Sequence, residues 1–180
     1  SDSITKEGYS FGKVYLEDTF TTEFTGDYDT QVIPNATQVS GGADNEYEMT
    51  VYVKWNVNPY TLTVYLYEGA FEDGVESPAG DYNYGVAFPT MPSPVKTGYT
   101  FTEWTYTKTE GGDAIATAPT TMPAYDVTAT ANYTINTYSI TYDADGGTLA
   151  DGTENPVSVV YDTAIPTAPS VTKTGNTFGG

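Results

Sequence analysis

Lys-x-Gly-x-x-Phe is written three times in this chain, at Lys6–Phe11, Lys96–Phe101 and Lys173–Phe178. The last two copies lie 77 residues apart, and other landmarks share that spacing. Tyr84-Gly-Val-Ala-Phe-Pro89 returns as Tyr161-Asp-Thr-Ala-Ile-Pro166, 77 residues on, and Tyr60 of the segment YTLTVYLY returns as Tyr138 at an offset of 78. Lys54–Asn58 stands 78 residues before Asn132–Asn136. A fixed period of this length means that one supersecondary unit is used again and again, and it limits the fold more than any local signal does. The chain reads as the later part of a unit over residues 1–57, a whole unit over 58–134 and the opening of a further unit over 135–180. Units of that size bury modest cores, so contacts between neighbours should matter.

The period of the polar and apolar residues gives the type of structure. Several windows alternate with a period of two and none sustains 3.6, while 32 threonines and 17 tyrosines favour strands. Met49, Val51, Val53 and Trp55 form one face of a strand, and Val127, Ala129, Ala131 and Tyr133 repeat that face. Leu62, Val64 and Leu66 form another, with Tyr65 and Tyr67 opposite. A short strand around Asp81–Val86 should pair back on it. Pro89, Pro92 and Pro94 forbid a regular ladder in the connector that follows. Phe101 and Trp104 differ in parity, so a bend after the Gly98 turn is expected to let both be buried. The final segment places Ile140 and Tyr142 on one strand and Val157, Val159 and Tyr161 on the next.

The linkers Asn56-Val57-Asn58-Pro59 and Thr134-Ile135-Asn136-Thr137 are too short for free swinging. Val57 and Ile135 are the expected plugs of the two junctions. From Phe11 to Trp55 is 44 residues, against 32 from Phe101 to Tyr133, so the first unit carries about a dozen extra residues between Asp18 and Glu46. Insertions of that kind are tolerated in loops, where partners also bind.

These motifs support a family resemblance. Lys-x-Gly-Tyr-x-Phe-x-x-Trp at Lys96–Trp104, Met-Pro-Ala-x-Asp-Val-Thr at Met122–Thr128 and the Gly146-Gly147 pair resemble the Listeria–Bacteroides repeat, also called the internalin B-repeat. Val14 stands where the motif has Trp104. The resemblance implies small β-grasp-like modules in tandem on bacterial surface or secreted proteins, serving as stalks and spacers, and it implies no catalytic residues. The expected fold is therefore predominantly β (β-grasp-like, little helix), in tandem small modules arranged as a rod. Trp55, Phe101, Trp104, Tyr133 and Phe178 are the expected structural aromatics.

Charge and residue type exclude several functions. Twenty-four acidic residues against six lysines give a net charge of −18, which repels nucleic acid and anionic membrane surfaces. The chain has no cysteine and no histidine, so thiolate sites, the usual zinc ligands and a Ser-His-Asp arrangement are absent. No apolar run is long enough for a membrane span. Asp143 and Asp145, at i and i+2 before a glycine turn, are the best candidate calcium ligands. They lack further oxygen donors, and their counterparts Tyr65 and Tyr67 preserve no ligand set, so a solvated turn is the preferred reading. Glu68, Glu72, Asp73 and Glu76 read as a charged loop rather than a carboxylate pair for hydrolysis. Asn35-Ala-Thr37 and Asn132-Tyr-Thr134 match the glycosylation pattern, with Asn132 expected on an exposed face. Tyr52, Tyr65 and Tyr67 read as cross-strand pairs or as a glycan- or protein-binding face.

The expectation is thus a non-enzymatic extracellular or cell-surface protein that needs no cofactor, a stalk segment or self-assembling fibre subunit. The alternative is an adhesion module for a glycan or host protein. The expected partners are adjacent repeats or copies of the same chain, since Tyr138–Phe178 supplies what Phe11–Trp55 lacks, without nucleic acid or membrane insertion.

Overall fold

A computed structural model describes residues 4–24, 37–38, 47–48 and 50–179. Among these described residues, thirteen strands follow in order: β1 (Tyr9–Tyr15), β2 (Thr37–Gln38), β3 (Tyr47–Glu48), β4 (Tyr52–Val57), β5 (Pro59–Tyr65), β6 (Gly80–Asn83), β7 (Tyr99–Lys108), β8 (Ala114–Ile115), β9 (Val127–Ile135), β10 (Thr137–Ile140), β11 (Thr148–Leu149), β12 (Val157–Val160) and β13 (Val171–Thr172). No helix occurs among the described residues. The predominantly β expectation is correct. Five strands hydrogen-bond in the order β6-β5-β9-β7-β8, and the rest form two-stranded ladders, β1-β4, β2-β3, β10-β12 and β11-β13.

Contacts group the chain into two compact units, neither of them contiguous in sequence. One comprises Ser1–Thr63, Ala79–Pro89 and Lys108–Val127, the other Val64–Pro78, Thr90–Thr107 and Thr128–Gly180.

In the first unit β1 runs antiparallel to β4, with Tyr9 opposite Val57 and Phe11 opposite Trp55. The register then shifts, so that Val14 faces Val53 with one extra residue on β1, a bulge. Pro59 to Leu62 of β5 pair with Asn83 to Gly80 of β6, which is the expected hairpin. Leu62 is 1% exposed, and Met122 and Val127 of the same unit are fully buried. Met122 lies outside any strand. Its backbone fixes it, because its carbonyl accepts from Gly85 N–H (2.9 Å) and its own N–H donates to Val86 (2.8 Å). Most of the inserted Asp18–Glu46 stretch, with Asn35, lies outside the described residues, as does Met49. β2, inside that stretch, pairs with β3, just after it, in a small ladder that sets Thr37 opposite Glu48.

In the second unit Tyr106, Ala129 and Ala131 are buried. Phe101 and Trp104 both lie on the single continuous strand β7, and their ring centroids are 5.6 Å apart. The expected bend after Gly98 is not the device used. Burial alternation slips by one residue across Thr102 and Glu103, the position at which β1 carries its bulge, and that slip brings two residues of opposite parity to one face. The Pro-rich connector forms no strand, and it caps the tryptophan: Trp104 Nε1–H donates to the Pro92 carbonyl at 3.2 Å. Phe71 and Tyr133 complete the cluster, at 6.3 Å from Trp104 and 6.0 Å from Phe101. β10 pairs with β12 from Thr137↔Val160 to Ile140↔Val157.

Candidate functional site at the repeat junction

The three copies of Lys-x-Gly each form a tight turn, because the glycine takes a left-handed conformation (φ +75° at Gly8, +77° at Gly98 and +74° at Gly175). At the first two, a tyrosine from the next repeat lies flat against the glycine. A Cβ on Gly8 would meet Tyr84 Cδ1 at 2.2 Å, and one on Gly98 would meet Tyr161 Cδ1 at 2.1 Å. Tyr84 and Tyr161 are the same position of the repeat. At Gly175 nothing lies within 4 Å of that point.

The backbone around each socket repeats as well. Asn58 N–H donates to the Gly8 carbonyl (2.9 Å), and the Asn58 carbonyl accepts from Tyr84 N–H (2.9 Å). Asn136 N–H donates to Gly98 (2.9 Å), and its carbonyl accepts from Tyr161 N–H (2.9 Å). One linker residue therefore holds the glycine turn behind it and the tyrosine strand ahead of it. The residue after the glycine completes the stack: Tyr9 meets Tyr84 edge-on at 5.7 Å, and Tyr99 meets Tyr161 at 6.1 Å. The lysine ammonium covers the same rings, Lys6 over Tyr9 at 4.0 Å and Lys96 over Tyr99 at 4.4 Å.

Val57 and Ile135, the expected plugs, are 39% and 38% exposed. They sit beside the asparagines that do the joining, but a β-branched side chain offers nothing to a glycine turn. A flat ring does, since it occupies the space a missing Cβ leaves open. The signal was present in the shared spacing of Tyr84 and Tyr161.

Lys96 has a second task inside its own repeat. Its Nζ donates to the Tyr67 carbonyl at 3.0 Å and lies 3.5 Å from the Glu68 carboxylate. Tyr67 and Glu68 are left-handed non-glycine residues (φ +44° and +67°), and Gly69 N–H closes the turn on the Leu66 carbonyl at 2.9 Å. Tyr133 Oη–H donates to that same carbonyl at 3.0 Å. The following repeat is built alike: Asp145 (φ +48°) and Gly146 (φ +75°) make the turn, Gly147 N–H donates to Ala144 (2.8 Å), and Lys173 Nζ donates to the Asp145 carbonyl (2.6 Å). The motif lysine is thus the fastener of the opening turn, a role that spacing alone did not show.

That turn decides how the candidate calcium ligands are used. Asp143 Oδ1 accepts from Asp145 N–H at 2.9 Å, and Asp145 Oδ2 pairs with Lys173 at 3.3 Å. The Asp145 side chain is fully exposed even so. Among the described residues no group of three or more acidic side chains is arranged to hold a metal ion. Of the expected structural aromatics, Phe101, Trp104 and Tyr133 come together, and Trp55 meets Phe11 edge-on at 6.0 Å. Phe178 is 66% exposed and lines a shallow depression with Asp143, Asp145 and Lys173. Asn132 differs from expectation. It is half-buried, and its Nδ2, the atom a glycan would need, donates to Thr105 Oγ1 (3.0 Å) and to the carbonyls of Thr130 (3.3 Å) and Glu103 (3.5 Å). The acceptor nitrogen is engaged in bracing the β7 slip.

Burial pushes the Tyr133 and Tyr106 phenols above the ordinary tyrosine value. In the unfolded chain they would ionise near pH ~10. The folded state keeps the proton longer, so this part of the stability is complete below that pH and is lost as pH rises through the folded values. Melting temperature is therefore expected to fall above pH ~10, and Tyr133→Phe, which has no phenol to ionise, should fall less steeply. Equal slopes for wild type and Tyr133→Phe would contradict this assignment.

The Listeria-Bacteroides repeat domain pattern matches residues 66–132 and again 138–180. The chain is 30% identical over 137 residues to a putative Gly-rich membrane protein of Evansella cellulosilytica, a match covering 74% of this chain and 15% of that protein. It is 40% identical over 88 residues to Internalin H of Listeria monocytogenes, covering 49% of this chain and 15% of Internalin H. A putative membrane protein of E. cellulosilytica is 28% identical over 177 residues, covering 97% of this chain and 23% of its own length. The chain thus spans less than a quarter of the relatives it matches. No solved structure matches it significantly.

Proposed function

We propose, from the premise that this chain belongs to the Listeria-Bacteroides repeat domain family, that it is a non-enzymatic stalk or fibre segment at the bacterial cell surface whose repeats are stiffly coupled. The observation that carries this reading is the junction built twice to one plan: a glycine turn, a tyrosine of the next repeat laid on it, and an asparagine bonded to both. A linker whose residues are all engaged in this way transmits orientation and load, whereas a free tether would not. The small cores of the units gain from it, because the repeats that hold Gly8 and Gly98 each borrow an aromatic ring from the next one. The partners in this reading are adjacent repeats or further copies of the chain, and it needs no cofactor. The relatives named as an internalin and as membrane proteins support a place at the cell surface. No helix among the described residues is long and apolar enough to cross a membrane.

Hydrogen exchange on the full chain tests the coupling. The Asn58, Tyr84, Asn136 and Tyr161 amides should be protected as strongly as strand amides, and Tyr161→Ala should expose Asn136 and Tyr161 while β5 and β6 keep their protection. Linker amides that exchange at open-chain rates in the wild type would refute a stiff stalk. The adhesion reading is the second one, and it is favoured by a specific surface.

A further inference from the structure

We propose that Tyr65 and Tyr67 form a binding platform for a glycan that carries free amino groups, of the glucosamine type. The site goes beyond the stalk reading and does not depend on it.

The two rings form a stacked pair, with centroids 6.5 Å apart and planes 27° from parallel. They are 53% and 65% exposed, so each ring offers apolar surface to solvent along the strip they form. Tyrosine supplies such area at low entropic cost, with a hydroxyl at its rim for hydrogen bonding. The C–H faces of pyranose rings match a strip of this kind, because they are flat, weakly polarised and positive towards the electron-rich ring face.

The backbone beneath is held in place against its own preference. Left-handed geometry is unfavourable for Tyr67 and Glu68 alike, and such residues persist where surrounding contacts over-determine them. Here those contacts are the Lys96 bond to the Tyr67 carbonyl and the two donors on the Leu66 carbonyl. The comparison with the next repeat is informative. Its second left-handed position is Gly146, which adopts that geometry freely, while the central repeat places Glu68 there. The turn is constant between repeats, and the side chains it presents are not: Tyr65 and Tyr67 in one, Asp143 and Asp145 in the other. The strained turn sets Tyr67 and Glu68 beside Tyr65, the last residue of β5, and so presents two rings and a carboxylate together.

Charge selects the ligand. The compact unit that holds the platform contains ten carboxylates and two lysines. Glu68 is the carboxylate next to the rings, and its side chain is 89% exposed while that of Lys96 is 17% exposed. Lys96 is spent on the Tyr67 carbonyl and on the rings of Tyr99 and Tyr133, and although it lies 3.5 Å from one Glu68 oxygen, it leaves most of that side chain open to a second cation. An anionic glycan is repelled by this surface, and an ammonium on the sugar meets both Glu68 and the tyrosine faces. A basic peptide satisfies the charge, but a single side chain uses one ring and leaves the strip unfilled.

The test is calorimetric titration of the full chain with glucosamine hexamer, N-acetylglucosamine hexamer and hexalysine. Glucosamine hexamer should bind most tightly, and Tyr65→Ala/Tyr67→Ala should weaken it about tenfold or more, as loss of aromatic anchors does. Tyr65→Phe/Tyr67→Phe should stay within about twofold, and Glu68→Gln should lose several-fold, with circular dichroism unchanged in all three. The proposal is overturned if the wild type does not bind the hexamer. It is overturned equally if the double alanine variant binds as well, which would mean charge adsorption alone. Tyrosine-dependent binding of hexalysine tighter than that of the sugar would assign the platform to a basic protein partner instead.

Discussion

Gly98→Ala is expected to destabilise the full chain by about 2–4 kcal/mol, through an unfavourable left-handed alanine and a Cβ forced into a ring. The glycine sits at φ +77°, and the new Cβ would lie 2.1 Å from Tyr161 Cδ1. The ring is itself held, because Tyr161 N–H bonds to Asn136 and the ring meets Tyr99 in a T-shaped contact. Tyr161→Ala removes the obstacle, so the double variant should lose less than the sum of the two singles, by about 1 kcal/mol or more. The conformational part of the penalty remains. Urea unfolding of the four proteins, followed by tryptophan fluorescence, measures the cycle. Strict additivity would mean that the glycine and the tyrosine do not act as one joint.

The second large effect is at Trp104. Trp104→Ala should cost about 3–4 kcal/mol, because it deletes the centre of an aromatic cluster that the small unit cannot refill. Phe101 and Phe71 lie 5.6 and 6.3 Å from the indole, and Tyr133 packs on Phe101. Trp104→Phe keeps most of the apolar volume but leaves the Pro92 carbonyl without its donor, so a smaller loss of about 1 kcal/mol is expected. Thr102→Ala, on the exposed side of the same strand, should change stability by about 0.5 kcal/mol or less. Thermal denaturation of the three variants orders them, and a Thr102→Ala loss as large as that of Trp104→Ala would mean that the faces of β7 are assigned wrongly.

Alternation made the strand faces legible. Leu62, Val127, Ala129 and Ala131 were readable as core because each is one of a set at period two, and period two has a single geometric meaning. Met122 was not readable, since it is buried from a loop, by backbone bonds to residues 85 and 86 that no local pattern announces. The Phe101/Trp104 pair shows a different limit. The parity conflict was visible, but a bend and a one-residue slip resolve it equally well, and only the partner strand's register chooses between them. At the junction, hydrophobicity drew attention to Val57 and Ile135, whereas the working groups were a glycine, an asparagine backbone and a tyrosine from the next repeat. The lysine of the motif was the least legible residue. Its targets are backbone carbonyls of a turn nearly thirty residues upstream, and carbonyls carry no sequence signature.

Gly8 and Tyr84 are separated by 76 residues, Gly98 and Tyr161 by 63, and the two joints are nevertheless the same. The joint is therefore indifferent to how much chain is looped out between its halves. Each of its parts also recurs once per period, so deleting or duplicating a whole period, wherever the break falls, brings a motif glycine back to a tyrosine at the same position of the repeat. Unequal recombination within the gene would lengthen or shorten such an array without ever producing a faulty connection. Variation in reach then becomes nearly free of cost to folding, and selection on length can act separately from selection on the sequences displayed along it.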